Sequence, residues 1–202
     1  IAEAKKGLLG ANITFPSISV GATENALLAA FNAKGNTVLK NCAIEPEVKD
    51  LIKFLNKLGG KIKIVGRKIL IIGCKQITKD ITHEVIFDRI ELGTYMIAAA
   101  LVGKKIIFNK INSKLIRKEI DVLKKMGVKL KTKKSTIEIL KSNNIKKIHL
   151  STNPYPGFPT DLQAQLMVLM TRAQGISRIK ESIFENRFMH VPELKRMGAN
   201  IE

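Results

Sequence analysis

Asn56-Lys57-Leu58-Gly59-Gly60-Lys61-Ile62, Lys124-Lys125-Met126-Gly127-Val128-Lys129-Leu130 and Lys195-Arg196-Met197-Gly198-Ala199-Asn200-Ile201 are three versions of one phrase. In each, the end of a basic, amphipathic stretch runs into a glycine and then towards a strand-forming segment. The glycine recurs after 68 and then 71 positions, at Gly59, Gly127 and Gly198. Upstream of each stands another glycine, Gly35, Gly103 and Gly175, which precedes it by 24, 24 and 23 positions. Recurrence at fixed spacing marks a repeated supersecondary unit.

Each unit divides into the same parts. Thr23 to Lys34, Leu92 to Val102 and Leu162 to Thr171 are apolar nearly all round, the composition of an enclosed helix. The next helix has a single apolar face. In Pro46 to Leu58 that face is Val48, Leu51, Ile52, Leu55 and Leu58, and in the second unit it includes Ile116, Ile120 and Leu123. Glu45 before Pro46, Ser113 before Lys114 and Pro192 supply start signals. Short strands are predicted between the helices, at Thr37 to Lys40, Ile106 to Asn109 and Ile176 to Ile179. A hairpin follows at Lys61 to Val65 and Ile69 to Ile72 around Gly66-Arg67-Lys68, and another at Lys129 to Lys131 and Thr136 to Leu140. A further strand is predicted before the enclosed helix, near Ala11 to Phe15 and near Lys147 to Leu150. The fold class is therefore α/β (α+β), built of repeated β-α-β-α-β-β units with enclosed helices surrounded by sheets. The third unit stops at Glu202, before its hairpin, and the chain opens on Ile1. The repeat thus implies a piece of a longer protein.

With 202 residues, 45% of them apolar, the chain can bury a substantial core. Cys42 and Cys74 make no disulfide framework and suit a reducing cytosol. The apolar run Tyr95 to Val102 is far shorter than the roughly 20 residues of a membrane span. The net charge of +18 admits two readings. One is nucleic-acid binding. The other is compositional bias, with lysines spread as pairs such as Lys5-Lys6, Lys104-Lys105, Lys124-Lys125 and Lys146-Lys147. Two tyrosines and no tryptophan supply little for a base-stacking platform. The densest patch, Lys131 to Lys134, falls in an expected turn.

The segments before the enclosed helices carry candidate chemistry. Ser19-Val20-Gly21-Ala22-Thr23-Glu24-Asn25 offers free amides at a helix start, for an anion or simply for a cap. Phe87-Asp88-Arg89-Ile90-Glu91-Leu92-Gly93-Thr94 places Asp88, Arg89 and Glu91 to form an ion pair and cap a helix. In Asn153-Pro154-Tyr155-Pro156-Gly157-Phe158-Pro159-Thr160-Asp161-Leu162-Gln163-Ala164-Gln165, three prolines stiffen the approach to Asp161. Asp161 is a candidate general base or sugar-hydroxyl ligand, and Thr160 or Asp161 is also a candidate N-cap. In Ile183-Phe184-Glu185-Asn186-Arg187-Phe188-Met189-His190, Arg187 can fork a phosphate or carboxylate, or pair with Asp161 or Glu185. His190 reads as a packed loop residue. His83 and His149 lack metal-ligand spacing, and neither cysteine has the surroundings of a reactive thiolate.

At Ser19 to Asn25, Asp88 to Thr94, Pro156 to Gln165 and Phe184 to His190 the chain resembles the UDP-N-acetylglucosamine enolpyruvyl transferases, the 1-carboxyvinyltransferases that begin peptidoglycan synthesis. The resemblance runs along essentially the whole chain and covers the middle of that family's longer sequence. It implies two globular domains of three units each. Residues 1–87 would be the last unit of the first (catalytic) domain, and 88–202 the first unit and part of the second unit of the other. The implied reaction moves the enolpyruvyl group of phosphoenolpyruvate onto the 3-hydroxyl of UDP-N-acetylglucosamine and releases phosphate. It uses no metal and no organic cofactor, in the cytoplasm, with no nucleic-acid or membrane partner.

By this resemblance Ser19, Val20 and Gly21 contact the nucleotide diphosphate. Asp161 holds the reacting hydroxyl and takes its proton. Ile183 and Phe184 lie against the sugar nucleotide, and Arg187 orients the Asp161 side. Leu92 stands where the family commonly has Thr, and Ser17 where some members have a lysine. The residues that grip phosphoenolpyruvate, and the mobile loop with its Cys or Asp, fall outside these 202 residues. The alternatives are the shikimate-pathway enolpyruvyl transferase and a basic RNA-binding, RNA 3′-phosphate cyclase-like module.

Overall fold

A computed structural model describes residues 3–5, 7–74, 77 and 80–202. Lys6 of the Lys5-Lys6 pair lies outside them. The chain divides into two compact units, Ile1–Ile86 and Phe87–Glu202.

The first unit runs β1 (Asn12–Thr14), α1 (Val20–Phe31), β2 (Asn36–Lys40), α2 (Pro46–Lys57), β3 (Lys61–Val65) and β4 (Lys68–Ile72). This is the β-α-β-α-β-β order expected from the repeat. β1 and β2 are parallel, so they need a crossover, and α1 supplies it. β4 pairs antiparallel with both β2 and β3, which gives the sheet order β1-β2-β4-β3. The amphipathic face of α2 buries Val48, Ile52 and Leu55, while Leu51 and Leu58 are half-buried. These pack with Leu27 and Phe31 of α1 and with Leu39, Ile69 and Ile71 of the sheet into one core.

The second unit carries the next two repeats. The first comprises α3 (Arg89–Val102), β5 (Lys105–Asn109), a 3-10 turn at Ser113–Ile116, α4 (Arg117–Lys125), β6 (Lys129–Thr132) and β7 (Thr136–Leu140). Its sheet order is β5-β7-β6. The second comprises β8 (Ile145–Lys146), β9 (His149–Ser151), a 3-10 turn at Thr160–Leu162, α5 (Gln163–Met170), β10 (Ala173–Gln174), β11 (Arg178–Lys180) and α6 (Val191–Arg196). Met96, Ile97 and Ala100 of α3 share a core with Leu166, Leu169 and Met170 of α5 and with Ile116, Ile120 and Leu123. A Cβ on Gly93 would sit 2.3 Å from Leu162 Cδ1, so glycine is what lets the start of α5 lie so close to α3. The enclosed helices are covered on most sides, but Leu28, Tyr95, Val102 and Val168 form exposed strips.

Where single strands are predicted near Lys147 to Leu150 and at Ile176 to Ile179, the chain forms two short parallel pairs, β8 with β10 and β9 with β11, and the interruption has a cause. Between the pairs Lys146↔Gln174 and His149↔Arg178 the first strand advances three residues and the second advances four. The same offset separates Leu9↔Lys34 from Asn12↔Val38. The extra residue makes a bulge, and at that place stand Gly35 (φ 94°) and Gly175 (φ 92°), in the left-handed region where glycine carries no Cβ penalty. Gly103, the middle member of the set, is extended instead, and no described strand flanks β5 on the side away from β7.

Candidate functional site

The loop before α1 is held locally. Ser19 has extended backbone and is the N-cap, its Oγ accepting from Ala22 N–H at 3.2 Å. Thr23 is buried and donates from Oγ1 to the Ser19 carbonyl at 2.7 Å, while accepting from Ala43 N–H at 3.0 Å. The cap therefore forms, and it satisfies one amide. The N–H groups of Val20 and Gly21 have no helical partner, as the geometry of a first turn dictates. A Cβ on Gly21 would meet no protein atom within 4 Å. Packing in this unit thus leaves open space above this helix start. Glu24 lies on the same helix, its pKa raised by burial first and then by the charges of Glu47 and Glu45.

The loop before α5 is held from a distance. Thr152 bridges Phe158, and Asn153 N–H donates to the Phe158 carbonyl at 2.9 Å, closing a tight loop with a cis Tyr155–Pro156 bond. Phe158 and Leu162 are fully buried and anchor it. Gly157 is required by contact, since a Cβ there would lie 2.4 Å from Asn153 Cβ and 2.8 Å from its carbonyl oxygen. Neither Thr160 nor Asp161 caps the helix, contrary to that expectation. Pro159 precedes the 3-10 turn, and no side chain caps it. The Asp161 carboxylate is instead exposed and accepts from Arg187 Nη2. This selects Asp161 over Glu185 as the partner of Arg187. The guanidinium also lies 5.3 Å from the centre of the Phe184 ring. An ion pair this exposed adds little stability but orients both groups.

Glu181 joins these segments, and the sequence reading passed over it. Its Oε1 accepts from Thr152 Oγ1 and Ile183 N–H, both at 2.8 Å, and from Phe184 N–H at 3.3 Å. Its Oε2 accepts from Thr160 Oγ1 at 2.8 Å. Burial works to raise its pKa, yet the four donors outweigh it and the value falls below the ordinary 4.5. A lone Glu at the end of a strand gives no pattern by which sequence alone could find this role.

At the start of α3, Asp88 caps as expected, accepting from Ile90 N–H at 2.7 Å and Glu91 N–H at 3.1 Å. Arg89 reaches beyond the segment. It is buried, lies 3.5 Å from Glu119 of α4, and its guanidinium faces the Tyr155 ring. His83 pairs with Asp50 at 3.0 Å and stacks edge-on against Phe54. His190 is partly buried at the start of α6, and burial lowers its pKa. Cys42 is buried, which pushes its thiol pKa up and away from reactivity. Among the described residues no group of three or more His, Cys, Asp or Glu side chains is placed to hold a metal ion. Nor is any helix among them long and apolar enough to cross a membrane.

The model of the EPSP synthase (3-phosphoshikimate 1-carboxyvinyltransferase) family matches residues 1–202. The chain belongs to this family. Its carboxyvinyltransferase relatives include the UDP-N-acetylglucosamine 1-carboxyvinyltransferases of Pelagibacter ubique and Azorhizobium caulinodans. The first is 55% identical over 99% of this chain and 48% of the relative. The second is 48% identical over 100% of this chain and 47% of the relative. The chain thus spans about half the length of the curated relatives it matches. Among solved structures, the enolpyruvyl transferase NikO from Streptomyces tendae aligns with a TM-score of 0.77 at 25% identity, over 87% of this chain and 42% of that one. EPSP synthase from Acinetobacter baumannii aligns with a TM-score of 0.64 at 22% identity, over 95% and 46%, a likeness of fold. The expected enolpyruvyl transferase-like α/β fold is the fold observed.

Proposed function

We propose that the full-length protein transfers the enolpyruvyl group of phosphoenolpyruvate to the 3-hydroxyl of UDP-N-acetylglucosamine and releases phosphate. Residues 1–87 would belong to its first domain and 88–202 to its second. The observation that carries this reading is the identity of 48–55%, over 99–100% of the chain, to relatives named for that acceptor. The reaction would serve peptidoglycan synthesis, and through it cell-wall biogenesis, cell shape and cell division, in the cytoplasm.

Transfer makes a carbon–oxygen bond to the sugar and breaks the one to phosphate, so the hydroxyl must lose its proton. Asp161 is assigned as the group that holds that hydroxyl and takes the proton. Its exposure and its freedom from capping suit the role. A placed base contributes about 10²–10⁴-fold in rate. Ser19, Val20 and Gly21 are assigned to the nucleotide diphosphate. The two free amides at a helix start and the open space above Gly21 favour an anion there. Ile183 and Phe184 are assigned to the sugar nucleotide, and Arg187 to orienting Asp161. No cofactor is assigned.

The family description makes shikimate 3-phosphate the second acceptor to test. Phosphate release by the full-length protein is expected with phosphoenolpyruvate plus UDP-N-acetylglucosamine, and not with shikimate 3-phosphate. The Asp161→Ala variant should abolish it. Release with shikimate 3-phosphate alone would transfer the assignment to the other branch, and full turnover in Asp161→Ala would remove this residue from the chemistry.

A further inference from the structure

Four donors converge on one carboxylate in the second unit, and they come from three separate stretches. Thr152 directly follows β9, Thr160 adjoins Asp161, and Ile183 and Phe184 belong to the segment that also carries Arg187. Thr152 is itself fully buried and takes a hydrogen bond from Ser182 N–H at 3.0 Å, while Ser182 Oγ donates back to the Thr152 carbonyl. The two stretches assigned to substrate are therefore joined twice. An exposed ion pair, Arg187 to Asp161, joins them on the outside. The Glu181 cluster joins them underneath. Only the second is charge-assisted on four sides, which makes it the stronger constraint on backbone position.

We propose that Glu181 is a positioning residue for the acceptor. Its carboxylate locks the Thr160-Asp161 turn to the Ile183-Phe184 backbone, so the proton-accepting carboxylate and the sugar-nucleotide contacts keep one spacing. The proposal rests on the reading of the reaction given above. It acts by geometry, and a displacement of about 1 Å at a reacting group costs on the order of 10²-fold in rate.

The test uses the full-length protein with Glu181→Ala and Glu181→Gln. Glutamine keeps an acceptor for Thr152, Ile183 and Phe184, and its amide can donate to the Thr160 hydroxyl, so the lock survives without charge. Glu181→Ala is expected to raise KM for UDP-N-acetylglucosamine and to lower kcat by about 100-fold, with KM for phosphoenolpyruvate unchanged. Glu181→Gln should recover most of both losses. Hydrogen exchange supplies a readout that needs no substrate, because the Ile183 and Phe184 amides should lose protection in the alanine variant and keep it in the glutamine variant. Unchanged exchange at these amides in Glu181→Ala overturns the lock. Equal loss for both substrates, with exchange raised throughout the unit, reduces Glu181 to general stability and also overturns it. If Glu181→Ala fails to fold, a Glu181→Gln protein with unprotected Ile183 and Phe184 amides but an unchanged acceptor KM is the overturning result. Absence of any phosphate release by the wild-type protein would sink the assigned reaction instead, while exchange still reports on the lock.

Discussion

The loops before α1 and α5 occupy the same place in the repeat but are held by different means. Before α1, Ser19 Oγ, Ala22 N–H and Thr23 Oγ1 make a cap within five residues, with one tie to the rest of the unit through Ala43 N–H. Before α5 there is no side-chain cap at all. Position comes from Phe158 and Leu162 in the core, from Gly157 against Asn153, and from Glu181 about 20 residues downstream. One loop presents backbone amides, which a helix start exposes without help. The other presents a single carboxylate, which must be aimed, and aiming needs contacts from more than one direction.

This contrast can be broken most sharply at the glycines. Gly157→Ala forces a Cβ into backbone and side-chain atoms of Asn153 and should destabilise the second unit by about 1–3 kcal/mol. Gly21→Ala meets nothing and should leave stability within about 0.5 kcal/mol of wild type. Urea midpoints of the two variants compare them directly, and equal midpoints would erase the distinction between a packed and an open loop.

A smaller effect tests the local loop. Ser19→Ala removes the cap and should cost about 1 kcal/mol, with the loss confined to the first unit. Urea unfolding followed by hydrogen exchange would locate it. Loss of protection around Asp161 in that variant would mean that the two loops are not held independently.

The smallest effect is a pH dependence. The Glu181 pKa is lower in the folded chain than its ordinary 4.5, so the folded state binds this proton less readily than the unfolded state does. Its stabilising contribution is fully present above 4.5 and is lost as the pH falls through the depressed folded value. Glu181→Gln should flatten that part of the stability curve below pH 4.5. An unaltered acid limb in the variant would show that the four donors do not favour the charged form.

Much of this was legible in the residues. The repeat glycines placed the elements, because glycine tolerates the left-handed backbone that Gly59, Gly127 and Gly198 adopt (φ 105°, 81° and 95°). The apolar period of α2 named its buried face correctly at Val48, Ile52 and Leu55. The broken strands at Gly35 and Gly175 were not foreseen, since a bulge is a property of a pair of strands and neither strand alone carries it. The partner of Arg89 was missed for the same reason. Glu119 lies 30 residues away on another helix and meets Arg89 only when α3 and α4 pack.

By itself the sequence determined the order of helices and strands, their buried faces and the residues available for chemistry, because periodicity, capping and glycine placement act over a few neighbouring residues. Tertiary packing alone decided that Arg187 would hold Asp161 rather than Glu185, and that Glu181 would gather donors from three stretches. Charge–charge and hydrogen-bond partners far apart in the chain are chosen by where the backbone brings them, and that placement is fixed by the summed burial of the core rather than by any local pattern.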